Sequence, residues 1–430
     1  MRQLLSRLAA IKLTRRGFAL LLGAHFVTGV ALTAFLPRPE RSVFDLGFDF
    51  GPAIEHVSTT GVLADATRMP VIPYLLAAFA HVSVSVTFAV VAKNLLTGAL
   101  LAHVLWATLV GHEPSRGAAA VAAFALTFPL LTRLMFLVVP EEAYLCALVA
   151  FLFHGLARIR RKPPLLSVVP YAIVVGIAYL TKSSLTLFCP VIAVLFAWRA
   201  RRGAVLALFA TILAGAALVW AFAVHRATGE VHFTSSLDGY NFWKGNNPST
   251  LRFYPERSLD FISGLAPEQA TGESEWAWSR RCFEEGFRFD VQHPVEAARL
   301  IGLRVYRVFF AVLEEEPVDE TAAHRWWRWA SVPHMVVFRI VWLASISFAL
   351  RDVGRWARTK APVEAVARSL AGRSFCYLAF VFAFVTPFLA AWAATRHVLP
   401  LVLPTLAFAL QRFLGPQPGT EHAPVRGSAI

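Results

Sequence analysis

Long apolar runs broken by short arginine-rich or acidic connections set the pattern of this chain. Residues 17–36 form one uninterrupted apolar run, about the ~20 residues a bilayer-spanning helix needs. Arg2, Arg7, Lys12, Arg15 and Arg16 precede it and assign the N-terminus to the cytoplasm. No small-residue cleavage site leads into a soluble domain, so the run reads as a first helix rather than a removed signal. A polar loop at 37–69 is followed by an apolar stretch from Pro70 to Val110, too long for one span. It divides into a surface-lying helix at 70–84 and a span at 86–110. Two spans around Lys93 would instead put the Arg158–Lys162 cluster outside, against the charge rule.

Residues 118–138 go out and 142–157 return to Arg158, Arg160, Arg161 and Lys162. Residues 165–180 and 184–198 predict a helical hairpin with Thr181-Lys182-Ser183-Ser184 at its tip. Both feet are basic, the second at Arg199, Arg201 and Arg202, so the tip is expected to point outward. After the span 204–224, the composition shifts: 16 of the chain's 27 acidic residues fall within 226–331, which reads as a long outer region. An amphipathic segment at 295–313 is expected to lie along the membrane surface. Spans at 333–350, 374–393 and 398–413 complete an all-α polytopic protein of about ten transmembrane helices, both ends inside. Its organisation reads as a transmembrane module at 1–225 with outer loop 37–85, the outer mixed region 226–331, and C-terminal helices and tail at 332–430.

Composition agrees with that class: the chain is 57% hydrophobic and 16% charged, with a mean hydropathy of +0.56. The net charge of +14 sits mostly in the short inner connections, so it argues for membrane orientation and not for nucleic acid. Cys146, Cys189 and Cys376 lie in apolar segments and Cys282 in a stretch read as polar loop, without metal or disulfide spacing. Glycine-rich phosphate loops are absent, which leaves a cytoplasmic ATP-driven machine unsupported.

With this topology, Asp45, Asp49, Arg68, Lys93, Glu141, Glu142, Lys182, Arg396 and His397 collect at the outer ends of the spans. Charged groups at a span mouth are costly unless they meet a cavity, a partner or a ligand. A carboxylate can take a proton from an attacking hydroxyl, and cations at the same depth can hold a phosphate. Each also has a plainer reading. Asp49 suits a helix cap, Glu141 and Glu142 suit a helix start, and Lys93 and Lys182 can snorkel. Arg68 and Arg396 can hold lipid headgroups. Trp326, Trp327 and Trp329 read as an interfacial belt, Trp276 and Trp278 as loop packing, and Glu314 to Glu316 as a solvated run.

The order of these elements resembles the GT-C glycosyltransferases, above all the branch of protein O-mannosyltransferases and the lipid A aminoarabinose transferase. The resemblance covers most of residues 15–410: a span, an acidic outer loop, a Pro-rich amphipathic helix, a Glu at a span mouth, and a Lys at a hairpin tip. It implies a glycosyltransferase that moves a sugar from a polyprenyl-phosphate donor to a lipid, glycan or protein acceptor at the extracytoplasmic face of the membrane, and the Arg- and Ala-rich usage of the chain points to a bacterial inner membrane. Asp49 resembles the catalytic base, since Gly51, Ile54 and Gly61 continue the pattern of an acidic residue leading a helix to a glycine; Asp45 is the alternative. The usual Asp-Glu pair with a later Tyr is missing.

Arg68 before Met69-Pro70, Lys182 in Leu180-Thr181-Lys182 and Arg396 before Pro400 resemble the family's phosphate-binding cations, with Lys93 and His397 beside them. Glu141 or Glu142 resembles the second-loop carboxylate, and a divalent metal is the one cofactor the resemblance allows. Asn241 to Pro248 resembles a loop of bacterial members that carries no assigned role. The alternative function is a multi-spanning transporter or lipid flippase, which calls for broken helices or charges near the bilayer midplane and paired repeats. A non-catalytic scaffold docking through 226–331 is a further alternative.

Overall fold

The computed structural model describes residues 16–17, 20, 23–24, 27, 51–81, 140–159, 161–255, 267–313, 322–359, 369–393 and 395–414. Among them all regular structure is helical. Helix α1 (Gly51–Thr60) and α2 (Val71–His81) pack on each other, and α1 closes at Gly61, whose φ of +71° suits glycine. Helix α3 (Pro140–Arg158) comes next, followed by the hairpin α4 (Val169–Thr181) and α5 (Phe188–Ala200). Helix α6 (Gly203–Thr228) leads to a polar region of four helices: α7 (Leu237–Gly245), α8 (Pro248–Phe253), α9 (Glu275–Gln292) and α10 (Pro294–Phe309). Helices α11 (Ala322–Thr359), α12 (Leu370–Ala390) and α13 (Val402–Leu414) close the described chain.

Among the described residues, four helical stretches are long and apolar enough to cross a membrane: Ser183–Ala200, Gly203–Thr228, Ser331–Thr359 and Ala371–Ala390. Three shorter apolar helices, Tyr144–Arg158, Val169–Thr181 and His397–Ala409, fall on the other predicted spans of the described residues. The predicted spans 86–110 and 118–138, and most of 17–36, lie outside the described residues. The hairpin predicted at 165–198 forms, and helices Val71–His81 and Pro294–Phe309 occupy the described part of 70–84 and most of 295–313. The span predicted at 333–350 is part of a longer helix, because its polar flanks continue the same helical path through Pro333.

Helix α4 packs along α6, α5 along both α6 and α12, and α12 along α11. Their shared core is aromatic. Phe188 meets Phe380 and Phe384 edge-on with centroids 5.0 and 5.6 Å apart, and Phe153 meets Phe380 at 5.2 Å. Such edge-to-face pairs add about 0.5–1.5 kcal/mol each beyond their buried area. Near the C-terminal end of α11, buried Asp352 accepts a hydrogen bond from Ser374 of α12 at 3.1 Å and lies 3.3 Å from Arg412 of α13. A carboxylate this deep is retained only when paired.

The helices of the hairpin and α6 differ in length. Thirteen residues make α4 about 20 Å long, short of the ~30 Å hydrocarbon core, while the 26 residues of α6 reach about 39 Å. The chain therefore turns back after α6. Trp220 donates its indole N–H to the Thr234 carbonyl at 2.9 Å, and Tyr179 donates its hydroxyl to the Phe233 carbonyl at 2.5 Å. Trp220 stands eight residues before Thr228, so segment 233–236 meets the tip about 12 Å back along α6 from its C-terminal end.

Candidate functional site

The returning segment ties three parts of the molecule together. Ser235 donates its hydroxyl to the Thr67 carbonyl at 2.6 Å, and the Ser236 amide donates to the Ala66 carbonyl at 3.0 Å. The Ser236 hydroxyl and the Ala66 amide both donate to Oε2 of Glu275, at 2.9 and 3.1 Å. One residue further on in the outer loop stands Arg68, half-buried. On the other side, Ser183 of the hairpin tip donates to Oδ1 of Asp238 at 2.6 Å. Lys182 immediately precedes it in an extended conformation, φ −153° and ψ 127°, between α4 and the single turn Ser183–Leu185. Two of the predicted phosphate-binding cations, Arg68 and Lys182, are thus carried by backbone that segment 233–238 holds together.

Arg396 and His397 lie in a tight turn, Thr395–Leu401, against which α3 packs. Glu141 and Glu142 are the second and third residues of α3. The His397 ring is buried, stacked on Phe388 with centroids 4.4 Å apart. The tip turn and the Arg396 turn both contact α12, which links the two groups. Asp45, Asp49 and Lys93 lie outside the described residues; Asp49 stands two positions before the start of α1.

Asp238 and Glu275 are the residues that sequence reasoning missed. Burial pushes the Asp238 carboxyl above its ordinary value, against the hydrogen bonds from Ser183, Thr234 and the Ser235 backbone. Glu275 is raised for the same reason, opposed by Ser236 and Ala66. Glu230 goes the other way, lowered chiefly by its hydrogen bonds to His232, 3.1 Å away, and Ser274. In sequence, Asp238 follows two serines at a helix start and looks like an exposed capping residue.

These directions give a testable pH dependence. A carboxyl raised on folding binds its proton more readily in the folded state, so its contribution is most favourable below the ordinary carboxylate pKa, near 4, and declines as pH rises through the raised value. Asp238→Asn keeps an acceptor for Ser183 and removes the buried charge. Its thermal stability is expected to fall less than wild type's between about pH 4 and 7. Glu275 keeps part of the slope. Parallel pH profiles for the two proteins would contradict the assignment.

Cys282 is not in a polar loop: it sits on α9 and is fully buried beside Trp243. The same helix carries Trp276, stacked on His232 at 3.7 Å, and Trp278, stacked on Tyr240 at 5.6 Å with its N–H donated to the Pro267 carbonyl. Trp329 of the expected belt is 55% exposed. Glu314 to Glu316 lie outside the described residues. Among the described residues no three His, Cys, Asp or Glu side chains gather into a metal-binding group.

No protein-family profile matches this chain, and neither a curated protein nor a solved structure is similar to it.

Proposed function

We propose that the chain is a membrane-embedded glycosyltransferase whose site opens to the outer face and takes a polyprenyl-phosphate sugar as donor. The observation that carries the reading is the inward return of segment 233–238. It joins the Arg68 loop to the Lys182 tip below the outer end of α6. A phosphate joined to a membrane-anchored chain meets protein at that depth, and cations placed there offset its charge where water is scarce. The full arrangement of about ten spans, the outer-face orientation and the placement in a bacterial inner membrane belong to this proposal.

In the reaction, Asp49 takes the proton of the acceptor hydroxyl, with Asp45 as the alternative base. The acceptor oxygen attacks the anomeric carbon as the bond to the phosphate oxygen breaks, with inversion, and the polyprenyl phosphate leaves with the electron pair. Arg68, Lys182 and Arg396, with Lys93 and His397, stabilise the negative charge that grows on the leaving phosphate. Glu141 and Glu142 are the acidic pair at the start of α3 proposed to take part at the site. One carboxylate together with a donor phosphate suits a hard divalent cation, which would neutralise phosphate charge. Region 226–331 provides the lid and the acceptor surface.

With purified protein and a polyprenyl-phosphate sugar, Asp49→Asn is expected to reduce release of polyprenyl phosphate by about 10²–10⁴-fold at unchanged expression. Full activity in that variant removes the base assignment. A second reading, a transporter or flippase, is favoured by the depth of the Lys182 tip. A cysteine at position 182 distinguishes them: a glycosyltransferase site open to the outer face reacts with an impermeant thiol reagent, whereas a closed transport site does not.

A further inference from the structure

No residue of the Asn241–Pro248 segment has a named role in the reaction above, yet the segment is densely hydrogen-bonded. Helix α7 ends at Gly245, and Asn247 starts α8 by accepting a hydrogen bond from the Thr250 amide at 3.1 Å while donating to the Trp243 carbonyl at 2.8 Å. This corner faces the end of α12. That helix contains Pro387, stops at Ala390, and leaves the helical region at Ala391 with φ −110° and ψ −100°. A helix that stops frees its last carbonyls, which need partners where water is scarce.

Three side chains from the polar region meet the last helical carbonyl and two just past it. Asn246 donates to Ala390 at 3.1 Å, Arg304 to Ala391 at 2.9 Å, and Tyr254 to Ala393 at 2.9 Å. The same Arg304 nitrogen also donates to the Gly245 carbonyl and the Asn246 side chain, at 2.8 and 2.9 Å, and Arg304 is only 2% exposed. A side chain at Gly245 would come within 1.6 Å of the Ala391 carbonyl oxygen, so the approach needs glycine. Trp392 is held by two further contacts, with Lys244 Nζ 5.2 Å from its ring centroid and the Tyr254 ring tilted against it at 4.8 Å. Beyond this grip the chain enters the Thr395–Leu401 turn.

We infer that Asn246, Tyr254 and Arg304 are positioning residues that fix the unwound backbone 390–393 and thereby set the turn carrying Arg396. The role of Arg396 in holding phosphate rests on the proposed function; the fixing of the turn does not.

A double-substitution cycle tests the link on the purified full chain, with undecaprenyl phosphate as probe. Tyr254→Phe and Arg396→Gln are each expected to weaken binding about 10-fold, and the double variant to be no weaker than Arg396→Gln alone. Independent, multiplying losses overturn the inference, since a general loosening of the fold acts whether or not Arg396 is present. If the wild type fails to bind the probe, the donor assignment is at fault, and a nitroxide on a cysteine at position 396 still tests the positioning. Its spectrum is expected to show greater mobility in Tyr254→Phe and in Arg304→Lys than in the wild-type background, and unchanged spectra overturn the inference.

Discussion

Gly239→Ala is expected to destabilise the polar region by about 1–3 kcal/mol, although alanine is the better helix former by about 1 kcal/mol. Gly239 lies in α7, where it faces α9 so closely that a Cβ would come within 1.8 Å of the Ser279 carbonyl oxygen and 2.6 Å of its hydroxyl. Its amide donates to that hydroxyl at 3.1 Å, in the most extensive helix pairing of the region. To admit a methyl group, α9 must move away, and the Gly239 amide loses its buried partner. Asp238 precedes Gly239, so the displacement also pulls on the Ser183–Asp238 hydrogen bond and the hairpin tip. Limited proteolysis of 226–313 should accelerate and the thermal transition should fall. A variant as stable as wild type, or more so, would show that α7 and α9 are not packed this closely.

Lys182→Met carries the second large effect. Methionine keeps much of the side-chain length and removes the charge, and the extended backbone at the tip accepts it without strain. Removing one preorganised group that stabilises developing charge usually costs about 10²–10³-fold in rate. A fall of that size in kcat/KM with a polyprenyl-phosphate sugar is expected, with folding unchanged. Lys182→Arg should recover only part of it, since a planar guanidinium does not replace a compact ammonium. Activity within about twofold of wild type in Lys182→Met would place the tip outside the reaction.

The hairpin was legible in the sequence because apolar runs of helical length end at the charges Arg158–Lys162 and Arg199–Arg202. The backbone conformation of the turn after α5 was not. Arg201 adopts a left-handed conformation, φ 50°, and its amide bonds back to Ala197 and Trp198, a conformation that its residue type does not announce. Segment 229–238 was hidden for another reason: its contacts to Thr67, Ala66, Tyr179 and Ser183 are all distant in sequence, and a short run of serines and threonines has no period to read. Region 275–292 looked like loop because Arg280, Arg281, Glu284 and Glu285 dominate its composition. The buried positions Trp276, Ser279, Cys282 and Gly286 nevertheless recur every three to four residues, the stripe of a helix against α7. Of the candidate site, the cations could be proposed from charges stranded at span ends. Asp238 could not, because its importance comes from burial that only the fold creates.

The central claim is that this chain consumes a polyprenyl-phosphate sugar with Asp49 as base. It is tested most directly by mass spectrometry of lipids and envelope glycans from cells expressing the wild-type chain, the Asp49→Asn variant, or neither. The expected result is a glycan present only with wild type, with the polyprenyl-phosphate sugar accumulating in the other two. Identical glycans in all three, or a glycan fully restored by Asp49→Asn, would contradict it.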